Sequence, residues 1–180
     1  LTATQGNIYL DTIGATLTGF TASAAGTAYL NGDITVASGG INMSGVASIV
    51  LQDNITLTGT GSAINLGSTN NTSVTGNFTL TLTPGAAAIT LDNVDVNTLT
   101  ISALTTAVTL YGAIIVDTAL DFSNVVDGNT ITLGANASIN TNNTNLTMTN
   151  EDVTGAFDLT INTGLGTASL GDIGTTANIS

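Results

Sequence analysis

Carboxylates are the main ionisable side chains of this 180-residue chain. It contains 11 Asp, one Glu and three Tyr, and it has no Lys, Arg, His or Cys. Catalysis would therefore rest on carboxylates alone, as in inverting glycoside hydrolysis, where two carboxyl groups stand roughly 6.5 to 9.5 Å apart. Asp92 with Asp95, or Asp117 with Asp121, could be spaced in this way. The sequence has no Trp platform for a sugar and no basic residue to tune an acid. We therefore interpret both pairs as solvated turns and predict no enzymatic activity.

Calcium is a better match to these carboxylates because it is bound by oxygen atoms alone. Six aspartates follow a recurring leucine by five residues or fewer, and we expect them to collect at one corner of the folded chain: Asp11, Asp33, Asp53, Asp92, Asp95 and Asp172. The Gly-Gly-x-Gly-x-Asp repeat of calcium β-rolls is absent, and Asp is also common in turns that hold no ion. The sequence thus leaves two alternatives open, a calcium site or a row of turn residues without a cofactor.

Threonine pairs separated by one residue form a second candidate surface. They occur at Thr16 and Thr18, Thr56 and Thr58, Thr79 and Thr81, Thr98 and Thr100, Thr130 and Thr132, and Thr147 and Thr149. A flat outward array of such pairs would favour ice binding. Because Thr is the most frequent residue of the chain, some of these pairs are expected by chance.

The overall composition excludes several classes of partner. A net charge of −12 with no basic residue argues against nucleic acid, phosphate ligands and anionic membrane surfaces, which need Lys or Arg. A hydrophobic fraction of 42% and a mean hydropathy of +0.42 predict a folded chain rather than a disordered one. The longest apolar runs have only four residues, as in Ala113 to Val116, far fewer than the roughly 18 residues of a spanning helix, so we expect no membrane insertion.

One sequence pattern recurs along the chain, and the structural unit that it encodes determines where the aspartates and threonines lie. It consists of an apolar residue, any residue, a marker Leu, a short polar corner, and then Ile or Val. The marker leucines are Leu10, Leu30, Leu51, Leu91, Leu110, Leu133 and Leu170, and the residues after the corner are Ile13, Ile34, Ile55, Val94, Ile114, Ile139 and Ile173. The gaps between markers are 20, 21, 40, 19, 23 and 37 residues. If each long gap spans two units, eight intervals average 20 residues.

This repeat predicts an all-β solenoid. Period-2 alternation of Thr, Ile, Val and Leu is typical of strands, and the Gly, Asn, Asp and Ser between them are typical of turns. Near-identical units favour stacked coils over a sandwich, in which neighbouring strands need not resemble one another. We predict about nine coils of about 20 residues, forming a rod on the order of 40 Å long. The marker leucines should form one buried ladder, and the Ile and Val residues after the corners should form a second.

The repeats resemble those of large secreted bacterial adhesins of the filamentous haemagglutinin type, as in the segment from Phe157 through Leu170 to Gly174. The resemblance implies a right-handed parallel β-helix that is exported and displayed at the cell surface or shed from it. It also implies a role as stalk, filament or adhesive shaft.

We therefore expect residues 1–180 to be a single solenoid segment of a longer repeat array, secreted and extracellular or on the cell surface. Neither Leu1 to Thr4 nor Ala177 to Ser180 carries a charge or proline that would cap a strand edge. The expected partners are neighbouring coils or subunits, end to end in a filament. The alternative function is that of a calcium-dependent surface-layer or ice-binding β-solenoid.

Overall fold

A computed structural model describes residues 1–4, 6–14, 16–68, 72–102, 105–149, 152–174 and 178–179, with backbone only for 126–129 and 178–179. All regular structure in this part of the chain is β-strand. It contains no helix long and apolar enough to cross a membrane. The strands are β1 (Thr2–Ala3), β2 (Ile8–Leu10), β3 (Phe20–Leu30), β4 (Ile34–Val36), β5 (Ile41–Leu51), β6 (Ile55–Gly59), β7 (Ile64–Asn65), β8 (Ser73–Thr83), β9 (Ala88–Leu91), β10 (Asn93–Ile101), β11 (Thr105–Leu110), β12 (Ala113–Val116), β13 (Leu120–Asp121), β14 (Val125–Leu133), β15 (Ala137–Asn140), β16 (Leu146–Met148), β17 (Asp152–Thr154), β18 (Asp158–Asn162), β19 (Ala168–Leu170) and β20 (Asn178–Ile179).

These strands stack in parallel as a β-solenoid with three faces. Face I holds β1, the first halves of β3 and β5, and then β7, β9, β11, β14 and β17. Face II holds β2, the second halves of β3 and β5, the first parts of β8 and β10, and then β12, β15, β18 and β20. Face III holds β4, β6 and the second parts of β8 and β10, followed by a separate sheet of β13, β16 and β19. The all-β solenoid prediction is confirmed.

The number of turns follows from the register on face II. Its central ladder pairs Ile8, Ala28, Ile49, Val74, Val94, Ile114, Ile139 and Ile161, one residue per coil. Seven steps therefore lead from Ile8 to Ile161, and the chain makes about seven turns with a period near 22 residues. The nine coils predicted from the sequence are slightly more than the structure has. The predicted period of about 20 residues is slightly too short.

The predicted leucine ladder is wrong in its register, although its members face inward in six of seven cases. Leu10, Leu30 and Leu51 pair with one another on face II. Leu91 and Leu110 pair on face I, and Leu133 follows them there. Leu170 lies on face III in the last coil and is 37% exposed, whereas the other six markers are buried. The marker leucines thus belong to three ladders, one on each face.

The second predicted ladder is divided in the same way. Its members lie on different faces: Ile13, Ile34 and Ile55 on face III, Val94, Ile114 and Ile139 on face II, and Ile173 on face I. Within face III, moreover, Ile34 pairs with Leu57 rather than with Ile55. Any apolar residue fills an inward position, so a repeated Leu or Ile does not by itself identify a face.

Two glycines explain both the long gaps and the miscounted coils. Val50 pairs with Thr75, which places Gly76 after Leu51 in the face II ladder. Thr132 pairs with Thr154, which places Gly155 after Leu133 on face I. Each glycine therefore stands one coil after a marker Leu, where the next marker was sought. The next marker Leu lies two faces further along the chain, Leu91 on face I and Leu170 on face III. Each long gap is one coil plus part of the next, not two coils.

The core is one continuous cluster of buried apolar side chains that extends from Ile8 to Leu159 inside the coils. Strands on all three faces contribute to it, and the alternating inward positions from β2 to β17 are nearly all buried. Burying a Leu or Ile side chain stabilises a fold by about 1.5 to 3 kcal/mol. The stability of the solenoid is thus distributed along its length rather than concentrated in one region.

At the corners, asparagine side chains extend the hydrogen bonding between coils. The Asn54 Oδ1 accepts from the Thr79 backbone N–H at 2.9 Å, and the Asn93 Oδ1 accepts from the Ala113 N–H at 3.1 Å. Four more asparagines accept from a backbone N–H one coil later: Asn7, Asn136, Asn143 and Asn145. These amides satisfy backbone donors where the strands end and the ladder stops.

Candidate functional site

The six candidate calcium ligands do not collect at one corner. Asp11, Asp33 and Asp53 lie between faces II and III, as predicted. Asp92 lies between faces I and II, Asp95 is on face II itself, and Asp172 lies between faces III and I. The single-corner prediction is therefore wrong for these last three, because the marker Leu changes face along the chain.

The three aspartates at the corner between faces II and III each accept a hydrogen bond. Asn31 Nδ2 donates to Asp11 Oδ1 at 2.9 Å, and the Thr56 N–H donates to Asp33 Oδ1 at 2.7 Å. Asp53 Oδ1 accepts from the N–H of the next residue, Asn54, at 2.7 Å. The neighbours of Asp11 and Asp33 one coil later are thus neutral, which avoids direct stacking of like charges.

The described residues contain no group of three or more Asp, Glu, His or Cys arranged to hold a metal ion. Calcium binding therefore stays a prediction of the sequence.

Asp92 is the one buried carboxylate among the six candidates, with 3% of its surface exposed. Its Oδ2 accepts from the Thr72 N–H at 2.9 Å and its Oδ1 from Asn93 Nδ2 at 3.0 Å. Gly67 and Gly112 approach it so closely that a Cβ at Gly112 would lie 2.7 Å from Asp92 Oδ1, and one at Gly67 would collide with the Asp92 Cβ. This packing indicates a structural corner residue, since a buried carboxylate needs such hydrogen bonds.

The two carboxylate pairs considered for hydrolysis are divided among different environments. Asp92 is buried at its corner, whereas Asp95 is exposed on face II. Asp117 accepts from Asn142 Nδ2 at 2.8 Å, and Asp121 accepts from the Ser123 N–H at 2.8 Å. Asp95 and Asp117 instead both line one surface cavity of about 230 Å³, a combination that sequence spacing did not indicate.

Three of the six threonine pairs lie on face III in adjacent coils, and their members join common ladders. Thr56 pairs with Thr81 and Thr81 with Thr100, while Thr79 pairs with Thr98 and Thr58 with Thr83. The residues between them are buried, so these threonines point outward. Thr35 extends the array one coil earlier, and Ser102 extends it beside Thr83, with the two hydroxyl oxygens 2.6 Å apart.

The other threonine pairs do not join this array. Thr130 and Thr132 lie on face I, and Thr147 lies on the separate sheet of face III. Thr16 and Thr18 precede β3 outside any strand. With Thr35 the array on face III spans four adjacent coils, and its outward threonines and Ser102 carry no charge.

A feature that sequence analysis missed lies on the outer surface of face II. Tyr9 and Tyr29 are paired in register and their rings stack, with centroids 4.9 Å apart and planes 10° apart. They flank a groove of about 330 Å³ whose other wall is formed by Asp11, Asn31 and Gln52. The signal was present in the sequence, since each Tyr directly precedes a marker Leu and the two are one coil apart.

The fold defines a parallel β-solenoid with a polar, threonine-rich exterior. Comparison of the chain with protein-family models, curated proteins and solved structures found no match.

Proposed function

We propose that this chain is a structural rod in an extracellular filament, stalk or adhesin. The observation that carries the proposal is the unbroken ladder on face II, whose parallel rungs extend from β2 to β20. A continuous apolar core and side-chain bonds at the corners hold each coil to the next. Such a fold keeps a fixed length without any ligand, which is what a stalk requires.

The ends of the rod support assembly with further coils or subunits. Leu170 is 37% exposed in the last described coil, although its partner Met148 one coil earlier is fully buried, and Leu1 is 64% exposed in the first coil. Exposed apolar groups and unpaired strand edges recruit further strands unless something covers them. End-to-end contacts of this kind propagate into open fibres when the rotation does not close.

Mechanical unfolding tests the proposed load-bearing role. When the chain is pulled from its two termini, we expect a series of force peaks, because each coil must peel from its neighbour. Each peak should release one coil of about 22 residues, or roughly 70 Å of extended chain. A single low-force transition that releases the whole chain would contradict a load-bearing role.

Surface display tests the proposed location. Antibodies raised against the purified chain should label intact, unpermeabilised source cells or the material shed from them. Labelling that appears only after the cells are permeabilised would refute an extracellular role.

A second candidate function, ice binding, is favoured by the threonine array on face III. Neighbouring coils are about 4.8 Å apart, and alternate residues along a strand are about 6.6 Å apart, so the hydroxyls form a regular two-dimensional grid. A flat, uncharged grid of hydroxyl and methyl groups can order water in an ice-like layer.

Thermal hysteresis measures this second function directly. If face III binds ice, a freezing-point gap should appear in the wild type and disappear in Thr81→Tyr, which places a bulky ring at the centre of the array. The matched control is Thr109→Tyr on face I, where Thr109 is paired with Thr90 and Thr132. No hysteresis in the wild type would eliminate this candidate.

A further inference from the structure

The groove beside Tyr9 and Tyr29 has the composition of a ligand-binding surface. One wall is aromatic, the opposite wall carries a carboxylate and two amides, and Leu10 contributes apolar surface between them. Both walls are formed by corresponding positions of successive coils, because Tyr9 pairs with Tyr29 and Leu10 with Leu30. The groove therefore runs parallel to the axis of the rod.

The aromatic wall is not required by the core. Tyr9 is 74% exposed and both rings project outward, whereas the residues on either side of Tyr9 are buried. The next outward residues on this face are Val50 and Thr75, so a tyrosine is not needed to maintain the strand. A stacked pair of outward-facing rings offers a rigid apolar surface at low conformational cost.

The polar wall retains hydrogen-bonding capacity for a ligand. Among the described residues, one oxygen of Asp11 and one N–H of Asn31 are used in their mutual bond at 2.9 Å. A carboxylate has two acceptor oxygens, and a primary amide has two N–H donors and a carbonyl acceptor. The wall can therefore both accept and donate hydrogen bonds, with the exposed Gln52 adding a further amide one coil later.

We propose that this groove binds a neutral oligosaccharide. Because the two rings stack on each other, each keeps one face free. The C–H groups of a pyranose ring carry partial positive charge and pack on such a negative aromatic face, while the sugar hydroxyls both donate to carboxylates and accept from amides. Asp11, Asn31 and Gln52 belong to three successive coils about 4.8 Å apart, so the polar wall is about 10 Å long. That length suits a short run of sugar units better than a monosaccharide.

Charge determines which sugars the groove accepts. The chain carries a net charge of −12 and has no Lys or Arg, and Asp11 lies in the groove itself. A uronic, sialic or sulfated sugar would meet uncompensated repulsion there. The site is therefore selective for neutral glycans, and it goes beyond the proposed rod function because binding does not require assembly of the ends.

Titration of the full chain with defined hexasaccharides tests the proposal. The neutral probes are cellohexaose, xylohexaose and mannohexaose, and hexagalacturonate is the anionic comparison. Binding is measured by calorimetry and by backbone amide NMR. We expect at least one neutral probe to bind with amide shifts confined to residues around Tyr9, Tyr29 and Gln52. Hexagalacturonate should bind at least tenfold more weakly.

Variants separate the aromatic wall from general surface effects. Tyr9→Ala should weaken binding at least tenfold, whereas Tyr9→Phe, which keeps the ring, should stay within about twofold of the wild type. Thr75→Ala, on the same face outside the groove, is the matched control. If Tyr9→Ala lowers the melting temperature, Gln52→Ala on the opposite wall provides a second test, with an expected loss of at least threefold.

Three outcomes would overturn the proposal. These are no binding of any neutral probe at millimolar concentration, amide shifts elsewhere on the rod, or equal affinity for hexagalacturonate. The rod function would survive each of these results, because it is measured by mechanical unfolding and surface labelling.

Discussion

Individual side chains add hydrogen bonds between coils at places that the backbone ladders do not reach. At the corners the backbone turns away from the ladder, and amide side chains such as those of Asn54 and Asn93 accept the N–H of the following coil instead. The abundance of Asn in the chain therefore has a structural cause, since a short amide can accept a hydrogen bond at a turn where a strand carbonyl cannot reach. The sequence indicated turns at these places but not their partners.

Removing one corner amide should have a measurable cost. We expect Asn54→Ala to lower the free energy of unfolding by about 1 kcal/mol, because the Thr79 N–H loses its acceptor. Asn77→Ala is the control, since Asn77 is exposed and its side chain makes no hydrogen bond to the described residues. Urea unfolding of both variants provides the comparison, and equal stability would show that the corner amides are dispensable.

The inward-facing positions carry the largest single-residue effects. Leu91 is fully buried, and it is paired with Leu110. Leu91→Asp should destabilise the fold by more than about 4 kcal/mol, because it removes apolar packing and buries an unpaired carboxylate. Thr100→Asp, at an exposed position of β10, should change stability by less than about 1 kcal/mol. Similar melting temperatures for the two variants would refute the assignment of inward and outward faces.

At the scale of strands and coils, sequence analysis identified the elements better than their register. Alternation of apolar residues with Thr located strands such as β8 and β11 because the pleat exposes every second side chain. The pairing of the strands was harder to predict from the sequence, because the number of residues per coil varies along the rod. The step from Ala88 to its partner Ala107 is shorter than the step from Leu120 to its partner Leu146. The additional residues lie in the corners between strands, and no repeated residue in the sequence marks where they occur.

For the same reason, the sequence identified residues of the candidate surfaces but not how they align across coils. The threonine pairs on face III were noted in the sequence, but their alignment depends on two unequal steps, a longer one from Thr56 to Thr81 and a shorter one from Thr81 to Thr100. The six candidate aspartates could not be assigned to their different corners and faces from the sequence, because the marker Leu that precedes them changes face along the chain. A surface formed across coils requires the register, whereas a motif within one coil does not.

The two glycines in the ladders provide a test of the register. Gly76 and Gly155 have φ values of 148° and 134°, which favour glycine. A Cβ at either position would lie 2.9 Å from the Cβ of the ladder leucine before it, Leu51 or Leu133. We expect Gly76→Ala and Gly155→Ala each to destabilise the fold by about 2 kcal/mol or more.

Gly14→Ala is the matched control for these variants, because nothing lies within 4 Å of a Cβ built there and its φ is not positive. Its melting temperature should stay close to that of the wild type. If Gly76→Ala were equally harmless, the proposed register between Leu51 and Gly76 would be wrong.

At the scale of the whole rod, acidic side chains lie along the sides, and apolar side chains are exposed in the first and last described coils. The net charge of −12 has no positive counterpart in the side chains, so parallel rods repel one another when ionic strength is low and screening is weak. The last described coil, by contrast, leaves Leu170 37% exposed, although its partner one coil earlier, Met148, is fully buried, so Leu170 offers apolar surface along the axis. From these two features we expect axial rather than lateral association.

Calcium gives a separate test at this scale. If the dispersed aspartates bind it within one rod, millimolar calcium should raise the melting temperature relative to a chelator, because ligand bound only to the folded state stabilises it. Magnesium at equal ionic strength is the control for screening. A melting temperature unchanged between calcium and chelator would eliminate the calcium-dependent alternative.

Axial assembly leads to the last prediction. The purified chain should form linear particles whose length grows with protein concentration and with added sodium chloride, since salt screens repulsion between rods while leaving the apolar end contact intact. Leu170→Asp should shorten these particles by placing a charge on the exposed end, whereas Thr109→Asp, on the side of the rod, should not. Light scattering and electron microscopy measure both effects. Strictly monomeric particles at high concentration and high salt would contradict end-to-end assembly, and sheets or bundles in place of single lines would show that the sides, not the ends, are the adhesive surfaces.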